Sequence, residues 1–138
     1  MEQFFIDASF VLAVEVEDDS NHEAASQFMR KLSKRDPLCV TTDYVIVEIV
    51  NFLTSRRMKR SAVRVGHALM TGPEVCVVHV DQLLLQAGWQ LFKRRMDKDY
   101  SLTDCISFEV MRRRKLTSTL TFDHHFAQAG FKMLPEVF

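Results

Sequence analysis

The chain has 138 residues, 47% hydrophobic and 26% charged, and its 18 basic and 18 acidic side chains cancel to a formal net charge of zero. That composition excludes intrinsic disorder, and no apolar run is long enough to span a membrane. The size predicts a single domain, 1–138, around one core, and the absence of a basic-then-apolar leader predicts a cytoplasmic protein.

Phe4-Phe5-Ile6 runs directly into Asp7. A run apolar on both faces predicts a strand buried on both sides, with Asp7 at its C-terminal end, the edge where open α/β sheets bind ligands. Ala8 to Val14 suits a short buried helix, and the acids that follow suit solvated surface. Ser20-Asn21-His22-Glu23 has capping-box spacing and predicts a helix start. The apolar face of that helix is Ala24, Ala25, Phe28, Met29 and Leu32. Asp36-Pro37 ends it, and Leu38 to Thr41 predicts a second strand.

Thr42 is placed to cap a helix over Tyr44 to Leu53, which is apolar nearly all round and therefore expected in the interior, with Glu48 interrupting it. Another helix, from about Ser61 to Met70, stops at Thr71-Gly72-Pro73. Val75 to Val80 predicts a third strand, and Asp81 caps the helix carrying Leu84, Ala87, Leu91 and Phe92. Ser101-Leu102-Thr103-Asp104 opens the next helix. Leu116 to Leu120 predicts a fourth strand, then a brief helix and a fifth strand at Phe131 to Leu134. Alternating strands and helices imply an α/β fold, a mostly parallel sheet with helices on both faces. The cysteines, Cys39, Cys76 and Cys105, lie far apart in apolar surroundings and read as reduced core residues.

Four carboxylates hold suggestive positions: Asp7 after strand one, Glu48 within an apolar helix, Asp104 at a helix start and Asp123 after strand four. Singly, Asp7, Asp104 and Asp123 each fit a helix cap equally well. Glu48 is different, because a carboxylate among Ile46, Val47, Ile49 and Val50 needs a cation or a proton. Four converging acids would repel by roughly 3 kcal/mol per pair at about 5 Å and an effective dielectric near 20. Protonation, basic partners or a metal must offset that. All-oxygen ligation selects Mg²⁺ or Mn²⁺.

Phe5-Ile6-Asp7-Ala8-Ser9, Val47-Glu48-Ile49, Ser101-Leu102-Thr103-Asp104-Cys105 and Leu120-Thr121-Phe122-Asp123 resemble, in order and rough spacing, the four acidic motifs of PIN-domain ribonucleases of the VapC toxin type. The resemblance spans nearly the whole chain. It implies a five-stranded parallel sheet and a metal-dependent endoribonuclease. Asp7, Glu48, Asp104 and Asp123 would be its catalytic metal ligands, with Thr121 supporting them. It further implies products with 5′-phosphate and 3′-hydroxyl ends, homodimerisation, and inhibition by an antitoxin. Some members carry an extra acid before the third motif, and both Asp97 and Asp99 are candidates for it.

A Mg²⁺ or Mn²⁺ cage suits phosphodiester hydrolysis by activated water, with no protein nucleophile. The alternative route through the RNA 2′-hydroxyl wants two opposed histidines, whereas His124 and His125 are adjacent and point about 100° apart on a helix. One is expected exposed and the other packed near the site. Among three basic clusters, Arg56, Arg57, Lys59 and Arg60 are preferred for RNA backbone contact, since they follow the helix bearing Glu48. No aromatic comb suggests base-specific stacking. Exposed apolar residues on the second and third helices are candidates for a dimer seam, although Phe28, Met29 and Trp89 fit a core equally well. A haloacid-dehalogenase-type phosphotransferase would have a second Asp where this chain has Ser9, which leaves a non-catalytic PIN-like scaffold for RNA or protein as the main rival.

Overall fold

The computed structural model describes residues 1–136. In chain order the elements are β1 (Gln3–Ile6), α1 (Ala8–Glu15), α2 (His22–Ser33), β2 (Leu38–Thr42), α3 (Asp43–Ser55), α4 (Lys59–Thr71), β3 (Val75–Val78), α5 (Gln82–Arg94), α6 (Leu102–Arg113), β4 (Ser118–Leu120), α7 (His125–Gln128) and β5 (Lys132–Leu134). The strands form one sheet in the order β3-β2-β1-β4-β5, and every pairing is parallel. The alternation read from the sequence therefore yields the expected α/β sheet.

Strand pleating sends alternate side chains to opposite faces, so continuous apolar runs feed two cores. Phe5 and Val40 point into the larger one, with buried residues of α3, α4, α5 and α6. Phe4, Ile6, Cys39 and Leu120 point into the other, closed by Phe10 and Ala13 of α1 and by Ala25 and Leu32 of α2. Helices α5 and α6 pack closely at Gly88. A methyl group there would stand 2.5 Å from Ile106 Cγ1 and 3.2 Å from the Ile106 backbone, so only glycine permits this approach.

Several expectations need correction. Ser20 does not cap α2; Asn21 precedes the helix without a side-chain cap, its N–H donates to Asp19 Oδ1 at 2.8 Å, and Glu23 accepts from Gln27 instead. Helix α3 is not interior all round. It buries Val45, Ile46, Ile49 and Leu53, but Tyr44, Val47, Glu48 and Phe52 are exposed, because only one side of α3 faces the sheet and its neighbours. Strand β3 stops at Val78, since the Val80 N–H donates to the Asp43 carboxylate rather than to a strand. Strand β4 begins at Ser118, two residues late, after Lys115 turns through a positive φ. The caps from Thr42 and Asp81 form as read, accepting from the Val45 and Leu84 N–H groups.

Candidate active site

The sheet order places β2 and β3 on one side of β1 and β4 and β5 on the other. The chain reverses direction of travel between β1 and β4, and their C-terminal ends flank the crevice that such a reversal opens. Asp7 leaves β1 there, its N–H donating to Leu120 O at 3.0 Å, and Thr121 and Asp123 leave β4 beside it.

Asp7 is buried and caps α1, with Ser9 N–H donating to Oδ2 at 3.3 Å. Ser9 Oγ and Thr121 Oγ1 each lie 2.8 Å from the same oxygen and 3.0 Å from one another. Two hydroxyls own two protons, so at most two of those three contacts are hydrogen bonds at once. Both hydroxyls also accept from backbone: Phe122 N–H donates to Ser9 Oγ at 2.9 Å and Asp123 N–H to Thr121 Oγ1 at 3.0 Å. These bonds tie the end of β1 to the end of β4. Burial pushes the Asp7 carboxyl above its ordinary pKa, the two hydroxyls oppose this, and nearby Asp104 adds to it.

Asp104 satisfies both readings at once. It completes a capping box, its N–H donating to Ser101 Oγ at 3.0 Å while Ser101 N–H donates to its Oδ2 at 3.1 Å. That same Oδ2 faces the cleft, 3.1 Å from His125 Nδ1. The ring nitrogen also lies 3.3 Å from Asp123 Oδ1, an arrangement satisfied by a hydrogen on Nδ1. Ligand atoms of Asp104, Asp123 and His125 all fall within 4.8 Å of one another. Burial is the main cause of a raised Asp104 pKa, with Asp123 next. Asp123 also accepts from His125 N–H at 2.9 Å, which starts α7.

Glu48 reaches the group from α3. Its pKa is pushed up to about 7, first by lost hydration, then by the charges of Asp7, Asp104 and Asp123. The residue nonetheless keeps an exposed flank, so its apolar sequence neighbours do not wrap it, and the three acids add to the lost hydration. The linkage has a definite sign. A carboxyl raised from 4.5 to about 7 contributes stability that is complete below the unfolded value and disappears as pH rises through the folded one. Without metal, Glu48→Gln is therefore expected to flatten the fall in melting temperature between about pH 4.5 and 7. An unchanged slope in calorimetry would exclude Glu48 from the coupled group.

All four acids thus meet, with Thr121 beneath them. Asp97 does not join, because Arg95 grips it at 3.0 and 3.1 Å and holds its pKa low. Asp99 lies exposed on the loop before α6, outside the close group of Asp104, Asp123 and His125. Arg56, Arg57, Lys59 and Arg60 are exposed at the α3–α4 turn, where Arg56 pairs with Asp18 at 3.3 Å. Arg56 is about 12 Å along α3 from Glu48.

Two residues of the site escaped the list read from the sequence. Ser9 stands in the first acidic motif without a role of its own, although a hydroxyl two residues after Asp7 is placed to bond back to it. His125 is the histidine that packs near the acids, while His124 is exposed. Burial meanwhile pushes the Cys39 and Cys105 thiols up to about 11, opposite to an activated nucleophile.

Removing the Thr121 hydroxyl should be costly. Thr121→Val deletes the link to Asp7 and leaves the Asp123 N–H without its acceptor, an expected loss of about 1–3 kcal/mol. Metal affinity should drop about 10- to 100-fold, as for other lost supports of ligating carboxylates. Urea unfolding and Mn²⁺ titration would measure both, and an unchanged titration would reduce Thr121 to a fold residue.

Comparison with known proteins agrees with this geometry. Residues 4–132 match the PIN domain. The 23S rRNA-specific endonuclease VapC20, from two strains of Mycobacterium tuberculosis, is 32% identical over 127 residues, covering 92% of this chain and 94% of the relative. The crystal structure of M. tuberculosis VapC20, described as a sarcin-ricin loop cleaving toxin, superposes with a TM-score of 0.83 at 30% identity, covering 93% of this chain and 95% of that one. Sequence and fold thus agree across more than nine-tenths of the chain, which belongs to the PIN-domain family and to its VapC-type branch.

Proposed function

We propose that this single domain is a cytoplasmic, VapC-type endoribonuclease that hydrolyses RNA phosphodiester bonds with Mg²⁺ or Mn²⁺. The observation that carries the reading is the convergence of Asp7, Glu48, Asp104 and Asp123 on one crevice, with the pKa values of three of them raised. The donor set fits a hard divalent ion: carboxylate oxygens predominate, and His125 is the one basic side chain in the close group. Asp7, Glu48, Asp104 and Asp123 would hold the ion, which when bound supplies Lewis-acid activation of water and neutralises phosphate charge.

The chain's own groups set the stage for that chemistry. The three donors to Asp7 all reach Oδ2, and among the described residues no hydrogen bond goes to Oδ1, which leaves that oxygen for a cation. Ser101 N–H and the His125 ring fix the Asp104 carboxylate. The His125 ring is itself held edge-on against Tyr100, with centroids 5.4 Å apart. The basic turn at Arg56, Arg57, Lys59 and Arg60 receives the RNA backbone. An antitoxin is the expected protein partner. For a homodimer the exposed, stacked pair Trp89 and Phe92 on α5 is the stronger seam, rather than the second and third helices. Among the described residues no helix is long and apolar enough to cross a membrane.

Thermal unfolding with and without Mn²⁺, in the native chain and Asp104→Asn, tests the proposal. At a hundredfold excess over Kd one ion adds about 2.7 kcal/mol. For a domain of this size that is roughly 10 °C. A shift in the native chain alone is expected. Equal shifts, or none in either protein even with RNA present, would favour a non-catalytic scaffold.

A further inference from the structure

Helix α3 carries more than Glu48 to the crevice. Val45, Ile46, Ile49 and Leu53 are buried beneath it, and Val50 meets α4, its Cγ2 only 3.2 Å from where a methyl on Gly66 would sit. On the other flank Tyr44, Glu48 and Phe52 follow at four-residue intervals, spanning about 80° of the helix and placing each aromatic about 6 Å along the axis from the acid. Both rings are open, Tyr44 at 38% and Phe52 at 39% exposure.

We infer that Tyr44 and Phe52 are stacking platforms for unpaired bases on either side of the phosphate to be cleaved, so that the substrate presents a single-stranded segment. The inference rests on the ribonuclease reading and narrows it to RNA whose bases are free to splay. Every base offers a π-face, and stacking on an aromatic side chain needs no particular sequence. Charge favours RNA as the occupant. Arg56 lies over the Phe52 ring, 5.7 Å from its centroid, and Arg57, Lys59 and Arg60 continue the basic surface past it, where an anionic strand leaving Phe52 would run. Val47, the exposed aliphatic residue of α3, is turned about 100° away from Glu48 and lies off this track.

The test uses a short single-stranded oligoribonucleotide carrying a fluorescent purine analogue, with Tyr44→Leu, Phe52→Leu and the corresponding Trp replacements in the full chain, and Ca²⁺ in place of Mg²⁺ to slow cleavage. Each Leu variant should raise Kd about tenfold and lose fluorescence quenching, while Trp restores both. Duplex RNA should bind alike to all variants. The Mn²⁺ thermal shift should stay native throughout, separating stacking from damage to the metal site or fold. Native affinity in the Leu variants overturns the inference and leaves the ribonuclease reading intact. So does a changed oligomeric state with unchanged RNA affinity, which would assign this flank to a second copy of the chain. A native chain that neither binds RNA nor cleaves it in Mg²⁺ overturns both.

Discussion

Asp104→Asn is expected to lower RNA cleavage by about a thousandfold or more while leaving the metal-free chain at least as stable as the native one. The activity loss follows from weakened metal binding, since a bound ion supplies several kcal/mol of charge stabilisation and each 1.36 kcal/mol is a decade in rate. The stability result follows from the double role of Asp104. Asparagine keeps an acceptor for the Ser101 N–H, so the capping box survives, and it removes one of the charges that raise the pKa of Glu48 and Asp7. Cleavage of a defined RNA in Mg²⁺ and a chelator-treated melt together give the answer. Asp104→Ala separates the two roles, because it also removes the acceptor of the Ser101 N–H, half of the capping box, and should cost about 1 kcal/mol of stability. A large metal-free loss in Asp104→Asn would show that its charge chiefly serves the fold.

Gly88→Val is expected to be the most damaging single change away from the acids, lowering stability by about 3 kcal/mol, the upper end for overpacking. That is roughly 10 °C in melting temperature. Gly88→Ala pits two effects against one another. Alanine gains up to about 1 kcal/mol of helix propensity, but its methyl collides with the fully buried Ile106, so a net loss of about 1–2 kcal/mol is expected. Ile106→Ala removes the colliding atom, and the double variant should be less unstable than the sum of the singles. Ile106 lies two residues after Asp104, so spreading α5 from α6 should also weaken Mn²⁺ binding. Additive effects, or a stabilising Gly88→Ala, would refute the close approach.

The sheet was legible because β1 and β2 are buried on both faces, and a run apolar on both faces has few other uses. Local chemistry also read well where it involved one side chain and the next turn of backbone, as at Thr42, Asp81 and Ser101. Ser20 failed because Asp19, one residue earlier, took the role of bonding to the turn. Strand ends were set by distant partners such as Asp43 and were invisible locally. The four acids were found by position along the chain, yet the environment of Glu48 was misjudged: an apolar sequence around a residue does not bury it when the helix has an open side. His125 and Ser9 work through contacts with residues far along the chain, Asp104 in one case and Thr121 in the other, so only the assembled fold distinguishes them from ordinary surface and turn residues.

The pairing of β1 with β4 also bears on how the protein is made. Asp7 leaves a ribosome 114 residues ahead of Thr121, which with Asp123 completes its surroundings. Until β4 has emerged, β1 lacks a neighbour on that side, Asp7 lacks its Thr121 hydroxyl, and Asp104 has neither Asp123 nor His125 opposite it. A growing chain therefore cannot bring the four acids together until β4 has been made.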